Sequence, residues 1–288
     1  MRLSLRDVPE QEGMITANFR RDRTDGMKAR FKDFFSRGRK PEVSLSEERG
    51  VRTMHFGSVW IQGAMRLSDP YHLELEYTRE LFAGLLLLPD PKHFTLLGLG
   101  AGSATKFAWK QFPKARVVSV ELDPGVITCA RQYFELPPDS RRMRTVCADG
   151  AAWLGATPEP TGYLIVDVYD AAARGPVLSS PKFYASCRAA LPCDASGVMA
   201  VNLFGRHASY QTNIRNIGHA FDGRMLAMPA SERGNVIVFG ITGPQMEIAF
   251  AALLQRAALL KAATGLPFPR YLAGLRKMNL LEGDRLLL

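Results

Sequence analysis

The stretch that decides the fold is Phe94–Ser103, which reads FTLLGLGAGS. The apolar run at its start is typical of a buried strand, and three glycines follow directly at Gly98, Gly100 and Gly102. Glycine lets the backbone approach a ligand closely, and a helix that begins after the glycines offers free N–H groups. The stretch therefore predicts a strand, a ligand-binding loop and a helix, as in a Rossmann-like unit.

Apolar runs and helical patterns alternate after Pro89, which indicates a parallel sheet with helices on both faces. Strands are predicted over Phe94–Leu97, Arg116–Val120, Arg144–Cys147, Tyr163–Val166, Val198–Asn202, Arg224–Met228 and Asn235–Ile241. Helices are predicted over Ser103–Gln111, Pro124–Phe134, Pro181–Leu191 and Tyr210–Ala220. The last two strands are close in sequence, so the sheet is expected to end in antiparallel pairing, as in class I methyltransferase-like domains.

The fold expected is α/β, with a Rossmann-like seven-stranded methyltransferase-type sheet and a small N-terminal β-rich domain. Its parts are a basic arm at 1–42, the β-rich domain with a linking helix at 43–90, the nucleoside-binding catalytic domain at 91–243, and a helical tail at 244–288. Within the β-rich domain we predict strands over Val51–Phe56 and Ser58–Arg66 and a helix over Leu73–Leu88. The tail is predicted to hold a helix ending near Gly265 and a proline-interrupted apolar segment.

The composition is that of a globular protein, because 47% of the 288 residues are hydrophobic and 23% are charged. The longest apolar run, Leu81–Leu88, is too short to cross a bilayer, and the first residues contain no apolar signal core. We therefore expect a cytoplasmic protein without a membrane partner. The four cysteines and five histidines show no metal-ligand spacing, so no metal is expected.

The net charge of +9 is concentrated between Arg20 and Lys40. Such a stretch attracts nucleic acid or an acidic partner electrostatically, and it also fits a solvated arm. We favour the solvated arm over the nucleic-acid contact.

Two carboxylates, those of Glu121 and Asp149, follow predicted strands at the edge of the sheet where the glycine loop lies. Glu121 ends the second strand of the catalytic domain, where a carboxylate can accept both ribose hydroxyls. Asp149 and Gly150 follow the third strand, where the carboxylate fits either an adenine contact or a helix N-cap. A dinucleotide site would need a third glycine or alanine that Ser103 and Ala104 supply poorly, so we expect S-adenosylmethionine or its decarboxylated form.

The candidate catalytic residues follow the fourth strand, in the segment Asp167-Val168-Tyr169-Asp170. Ligands of open α/β sheets lie at this edge, and two carboxylates three residues apart in a loop can face one cavity. A pair of turn or helix caps is the alternative interpretation.

In these motifs the sequence resembles the spermidine synthase family, the polyamine aminopropyltransferases, over about Val51–Gly205. The glycine loop, the segment Val120–Pro124, Asp149-Gly150, and Asp167–Asp170 followed by Gly175-Pro176 stand in that family's order. The resemblance implies a dimer that uses decarboxylated S-adenosylmethionine to transfer an aminopropyl group to a small amine. It also implies roles for single residues: Glu121 at ribose, Asp149 at adenine, Asp170 as general base, Asp167 and Tyr169 as positioning residues, and Tyr77 at the amine.

The sequence departs from the family pattern at several positions. An aspartate that binds the donor's amine is replaced by Ala101, a histidine or glutamine by Thr78, and a glutamine by Arg66. If Arg66 lines the pocket, its guanidinium would repel a polyamine and attract a carboxylate. The other interpretation is that Arg66 faces solvent.

Three functions remain as hypotheses from the sequence. The first is an aminopropyltransferase acting on a small-molecule amine. The second is a methyltransferase that uses intact S-adenosylmethionine, suggested by Ala101 and Arg66. The third is a non-catalytic adenosyl-ligand-binding protein.

Overall fold

A computed structural model describes the chain over residues 43–56, 61–156, 160–169, 179–279 and 283–288. The predicted basic arm lies outside the described residues. Within them the strands form a small N-terminal sheet, a seven-stranded sheet and a two-stranded C-terminal sheet. The predicted α/β fold is confirmed, while the predicted domain boundaries remain predictions.

The N-terminal sheet is antiparallel, with strands β1 (Val43–Glu48), β2 (Val51–Phe56) and β3 (Gly63–Arg66) in that spatial order. Arg49 and Gly50 join β1 to β2 with positive φ angles of 50° and 74°, the backbone conformation of a tight hairpin turn. Strand β2 was predicted from the sequence, and β1 was not. The predicted strand Ser58–Arg66 is too long, because residues 61 and 62 precede β3 and are not in a strand. The first three residues of that predicted strand, 58–60, lie outside the described residues.

The helix predicted over Leu73–Leu88 is wrong. Helix α1 spans only Glu76–Glu80, and a 3₁₀ helix over Ala83–Leu86 follows it. The carbonyl of Leu81, which a continuing α-helix would use internally, instead accepts a hydrogen bond of 2.8 Å from the Tyr163 hydroxyl. This long-range bond diverts the chain from the α-helical path, although the apolar periodicity alone favours a helix.

The large sheet has the spatial order β6-β5-β4-β7-β8-β10-β9. The pairs among β4 to β8 are parallel, and β10 pairs antiparallel with both β8 and β9. Its strands are β4 (His93–Leu97), β5 (Arg116–Glu121), β6 (Met143–Cys147), β7 (Tyr163–Val166), β8 (Gly197–Phe204), β9 (Met225–Ala227) and β10 (Asn235–Thr242). The predicted antiparallel end of the sheet is confirmed.

Helices cover both faces of this sheet, as its apolar strands require. They are α2 (Ser103–Gln111), α3 (Pro124–Tyr133), α4 (Gly150–Ala156), α5 (Pro181–Ala189) and α6 (Tyr210–Ala220). The side chain of Ile165 belongs to the core shared with α2, α3 and the C-terminal helices, whereas Leu164 and Val166 belong to the core shared with α4, α5 and α6. The ligand-side ends of the strands are therefore held by two separate apolar layers.

The C-terminal tail packs on the first of these layers. It contains β11 (Glu247–Ala249), α7 (Phe250–Thr264), α8 (Phe268–Met278) and β12 (Arg285–Leu287), and β11 pairs antiparallel with β12. Helix α7 ends at Gly265, whose φ of 75° confirms the predicted stop. The proline-interrupted segment is a helix, because Pro269 falls in its first turn, where the missing N–H costs no hydrogen bond.

An ion pair joins helix α8 to helix α1, next to a buried glutamate on α1. Arg270 on α8 donates to Glu76 over 2.7 Å, and the neighbouring Glu80 is buried with an Oε2 atom that has no hydrogen-bond partner among the described residues. Burial, followed by the charge of Glu76, raises the pKa of Glu80 from 4.5 to about 7, while Arg270 and Arg79 oppose the increase. The folded state therefore holds a proton on Glu80 that the unfolded chain releases at lower pH.

Glu80→Gln is expected to raise the free energy of unfolding at pH 8 by roughly 1–3 kcal/mol, because it removes the cost of burying an unpartnered carboxylate. The free energy of unfolding of the wild-type protein should fall as the pH rises from 4.5 to about 7, because across that interval the folded state keeps a proton on Glu80 that the unfolded chain has lost. Urea unfolding at pH 5 and pH 8 measures both effects. Glu232→Gln, at an exposed glutamate on the β9–β10 connection, is the matched control, and equal pH dependence in Glu80→Gln and wild type would contradict the prediction.

Candidate active site

The glycine loop after β4 lies against two other backbone segments. A Cβ atom on Gly98 would stand 2.1 Å from the carbonyl oxygen of Asp167, and one on Gly100 would stand 2.6 Å from that of Gln62. Both glycines also have positive φ angles, 89° and 51°. The loop is therefore confined between the end of β7 and the N-terminal sheet, and only glycine fits it at these two positions. Gly102, also with positive φ, directly precedes α2.

Glu121, at the end of β5, fixes the shape of this loop. One carboxylate oxygen accepts from the backbone N–H of Leu99 at 3.0 Å, and the other accepts from the N–H of Asp123 at 2.9 Å. Burial raises the pKa of Glu121, and these backbone hydrogen bonds oppose the increase. Each carboxylate oxygen can accept more than one hydrogen bond, so the group retains capacity for ribose hydroxyls.

Asp149 caps helix α4, as one of the two sequence interpretations expected. Its Oδ1 accepts from the N–H of Ala152 at 2.8 Å, and Gly150 begins the helix. The other carboxylate oxygen has no hydrogen bond to a described residue, so the cap leaves an acceptor for an adenine amino group. Leu122, directly after Glu121, is 66% exposed on the same edge of the sheet and offers an apolar surface beside the cap.

Three of the four predicted catalytic residues come together at the ends of β7 and β8. Asp167, which is partly buried, accepts from Asn202 Nδ2 at 2.9 Å and from the Tyr77 hydroxyl, and the Tyr169 hydroxyl donates to the Asn202 carbonyl at 2.9 Å. The fourth, Asp170, lies outside the described residues. Asn202, which ends the predicted strand Val198–Asn202, lies at the centre of this network.

Burial determines the protonation of the network. It raises the pKa of Asp167, which the hydrogen bonds from Asn202 and Tyr77 lower in part. It also raises the pKa of Tyr77 well above 10, with Asp167 and Tyr169 adding to the increase and Arg233 opposing it. Tyr77 is therefore a hydrogen-bond donor at neutral pH, and its partner Asp167 is held in one orientation.

Asn235, on β10, supports this network and was not predicted. Its Nδ2 atom donates to Asn202 Oδ1 at 3.0 Å, which leaves Asn202 Nδ2 directed at Asp167. The pair joins β8 to the antiparallel strand β10, 33 residues apart in sequence. No local sequence signal marks Asn235, because its role depends on the register between those strands.

The N-terminal sheet closes over the glycine loop. Ser103 Oγ donates to the Ala64 carbonyl at 2.9 Å, and a Cβ atom on Gly63 would meet the Ala101 Cβ at 2.5 Å. Ala101 is buried, so the position where the family has an aspartate is filled by contact with Gly63. A longer side chain at 101 would need this contact to open.

Arg66 and Thr78, the two other positions that depart from the family pattern, make local contacts. Arg66 makes a two-point ion pair with Glu74, at 2.7 and 3.1 Å, so its charge is balanced within the N-terminal region. The hypothesis that Arg66 repels a polyamine is therefore weakened, since the guanidinium already has a carboxylate partner. Thr78 donates to the Leu75 carbonyl at 2.7 Å, three residues earlier in the chain, so its hydroxyl is engaged within the α1 segment.

Within the described ranges, no three histidine, cysteine, aspartate or glutamate side chains are arranged to hold a metal ion. Across the same ranges, no helix is long and apolar enough to cross a membrane.

The fold and site define a Rossmann-like transferase of the methyltransferase type. Two polyamine aminopropyltransferases, from Neisseria meningitidis and Chromobacterium violaceum, are 36% and 34% identical to this chain over 241 and 248 residues. These matches cover 83% and 86% of this chain and 90% and 94% of the relatives. The chain belongs to the polyamine aminopropyltransferase family, which confirms the resemblance found in the sequence. No protein-family model matches the chain.

Solved structures confirm the fold. A probable spermidine synthase from Corynebacterium glutamicum has a TM-score of 0.65 at 16% identity, covering 89% of this chain and 98% of that one. A spermidine synthase in complex with the transition-state analogue AdoDATO has a TM-score of 0.57 at 21% identity, covering 72% of each chain. Human methyltransferase-like protein 13, in complex with SAH, has a TM-score of 0.58 at 24% identity, covering 66% of this chain and 93% of that one.

Gly100→Ala is expected to weaken binding of the adenosyl donor by at least about tenfold, because the added methyl group meets the Gln62 carbonyl and the positive φ disfavours alanine. Isothermal titration calorimetry with S-adenosylmethionine and its decarboxylated form measures the change. Gly155→Ala, where a Cβ atom meets nothing within 4 Å, is the matched control and should bind as the wild type does. Wild-type affinity in Gly100→Ala would argue against this loop as the donor site.

Proposed function

We propose that this protein transfers the aminopropyl group of decarboxylated S-adenosylmethionine to a small amine, with Asp170 as general base. Membership of the polyamine aminopropyltransferase family carries the proposal. The network of Tyr77, Asp167 and Asn202 supports it, because a partly buried, oriented carboxylate at the carboxyl edge of the sheet suits an amine substrate.

The donor would occupy the edge formed by the loops after β4, β5 and β6. Gly98, Gly100 and Gly102 allow close approach of the backbone, and Glu121 would accept from ribose hydroxyls. Asp149 and the helix start at Gly150 would hold the adenine. This assignment is supported by the fixed orientation of Glu121, which already engages two backbone amides.

The acceptor amine would lie beside the network at the end of β7. Tyr77 and Tyr169 would position the amine together with Asp167, and Asp170 would take its proton. In the reaction the neutral amine nitrogen attacks the aminopropyl carbon bound to the donor sulfur, so that a C–N bond forms as the C–S bond breaks. Methylthioadenosine leaves with the electron pair of the broken bond, and the proton lost by nitrogen passes to Asp170.

The direct test is to supply purified protein with decarboxylated S-adenosylmethionine and putrescine. We expect methylthioadenosine to be released in step with the aminopropylated product, both measured by mass spectrometry. No methylthioadenosine with putrescine or any of several other amines would overturn the proposed activity.

Asp170→Asn is expected to lower kcat by about 10²–10⁴-fold, because the amide cannot accept the amine proton. The donor affinity should stay unchanged, since Asp170 is assigned to the acceptor. Asp194→Asn, at an exposed residue before β8, is the matched control. Steady-state kinetics together with donor calorimetry separate the two effects, and a normal kcat in Asp170→Asn would remove this residue as the base.

Methyl transfer from intact S-adenosylmethionine is the second candidate. Ala101 favours it, because this position in the family holds the aspartate that binds the donor's amine. Here the alanine is buried against Gly63. Calorimetry with both donors decides between the candidates. Tighter binding of the decarboxylated donor supports aminopropyl transfer, and tighter binding of intact S-adenosylmethionine supports methyl transfer.

For the assembly and location we propose a cytoplasmic homodimer, following the family resemblance. For the arm between Arg20 and Lys40 we favour a solvated segment over a nucleic-acid contact, and binding of RNA or DNA that persists at physiological salt would contradict this. Light scattering coupled to size-exclusion chromatography measures the oligomeric state.

A further inference from the structure

A polar cleft of about 150 Å³ lies outside the candidate active site. We call it the α2–α8 cleft, because its walls come from the segment around α1, the second half of α2, and the turn that leads from α7 into α8. Its lining is Asp69, Tyr71, His72, Leu73, Arg79, Phe107, Lys110, Gln111, Thr264, Gly265, Leu266 and Pro267. It shares no residue with the candidate donor and acceptor sites.

Two cations in this lining have no carboxylate partner among the described residues. The guanidinium of Arg79 donates only to backbone carbonyls, those of Leu75 at 3.4 Å and Glu74 at 3.2 Å. The ammonium of Lys110 stands 4.6 Å from the centroid of the Tyr71 ring. The ring and the carbonyls stabilise the cations without neutralising them, so their charge remains available to a ligand.

A third cation lies beneath the same ring. Lys106 is fully buried, its Nζ stands 6.0 Å from the Tyr71 centroid, and it donates to the Phe134 carbonyl at 2.6 Å. Asp69 is the one carboxylate in the lining. Even with Asp69 ionised and His72 neutral, Arg79 and Lys110 leave the lining positive. The charge of Lys106 is offset by Glu135, so the net positive charge at the cleft depends on Arg79 and Lys110.

We propose that the α2–α8 cleft binds a small oxyanion, a carboxylate or a phosphate, between Arg79 and Lys110. The volume is on the scale of a cavity that holds one benzene-sized molecule, so a nucleoside is too large and a short carboxylate or inorganic phosphate fits. Guanidinium and ammonium groups are the side chains that bind such anions with charge-assisted hydrogen bonds. The inference is independent of the proposed function, because binding here requires no turnover.

The test is calorimetric titration of the full-length protein with inorganic phosphate and, separately, with succinate. We expect saturable binding of at least one probe, and the same binding when methylthioadenosine is present, since the cleft lies apart from the donor site. The two titrations distinguish a phosphate site from a carboxylate site.

Lys110→Gln should weaken the binding by at least about tenfold, through loss of one charge-assisted contact. Lys114→Gln, at an exposed lysine outside the lining, is the matched control and should bind as the wild type does. Thermal unfolding without probe establishes that both variants are folded, and Arg79→Lys provides a second variant that keeps the charge but shortens its reach. The proposal is overturned if neither probe binds saturably, if Lys110→Gln binds as tightly as wild type, or if Lys114→Gln loses as much affinity.

Discussion

The site depends on one carboxylate, because Glu121 hydrogen-bonds to the loops that follow both β4 and β5. It accepts from the N–H of Leu99 in the loop after β4 and from that of Asp123 in the loop after β5. Parallel strands deliver both loops to the same edge of the sheet, but the backbone of each loop is open to several conformations. A partly buried acceptor between them favours one conformation of each loop, so the proposed donor site is organised without a ligand.

The N-terminal sheet also restricts the glycine loop to which Glu121 is hydrogen-bonded. Its strand β3 contributes the Ala64 carbonyl to Ser103 and lays Gly63 over Ala101, so the glycine loop is covered on the side away from β7. This contact suits a small side chain at position 101, because a Cβ atom on Gly63 would stand only 2.5 Å from the Ala101 Cβ.

The sequence predicted the parts of the fold that depend on local pattern. The strand and loop at Phe94–Ser103, the carboxylate at Glu121 and the cap at Asp149 each follow from neighbours in the chain. The failures depend on distant partners. The helix predicted from Leu73 is interrupted by a hydroxyl 82 residues beyond Leu81, and Asn235 joins the site through pairing with Asn202. Periodicity cannot report such contacts, because they are set by strand register and core packing.

The order of the last three strands of the large sheet has a consequence for synthesis on the ribosome. Strand β9 is made before β10 but lies outside it, so it has no place in the sheet until β10 has paired with β8. Asn235, which holds Asn202 towards Asp167, is itself the first residue of β10. An incomplete chain that stops before β10 therefore has the glycine loop and Glu121 but lacks the Asn235 side chain that orients Asn202, so formation of the Asp167 network requires synthesis of β10.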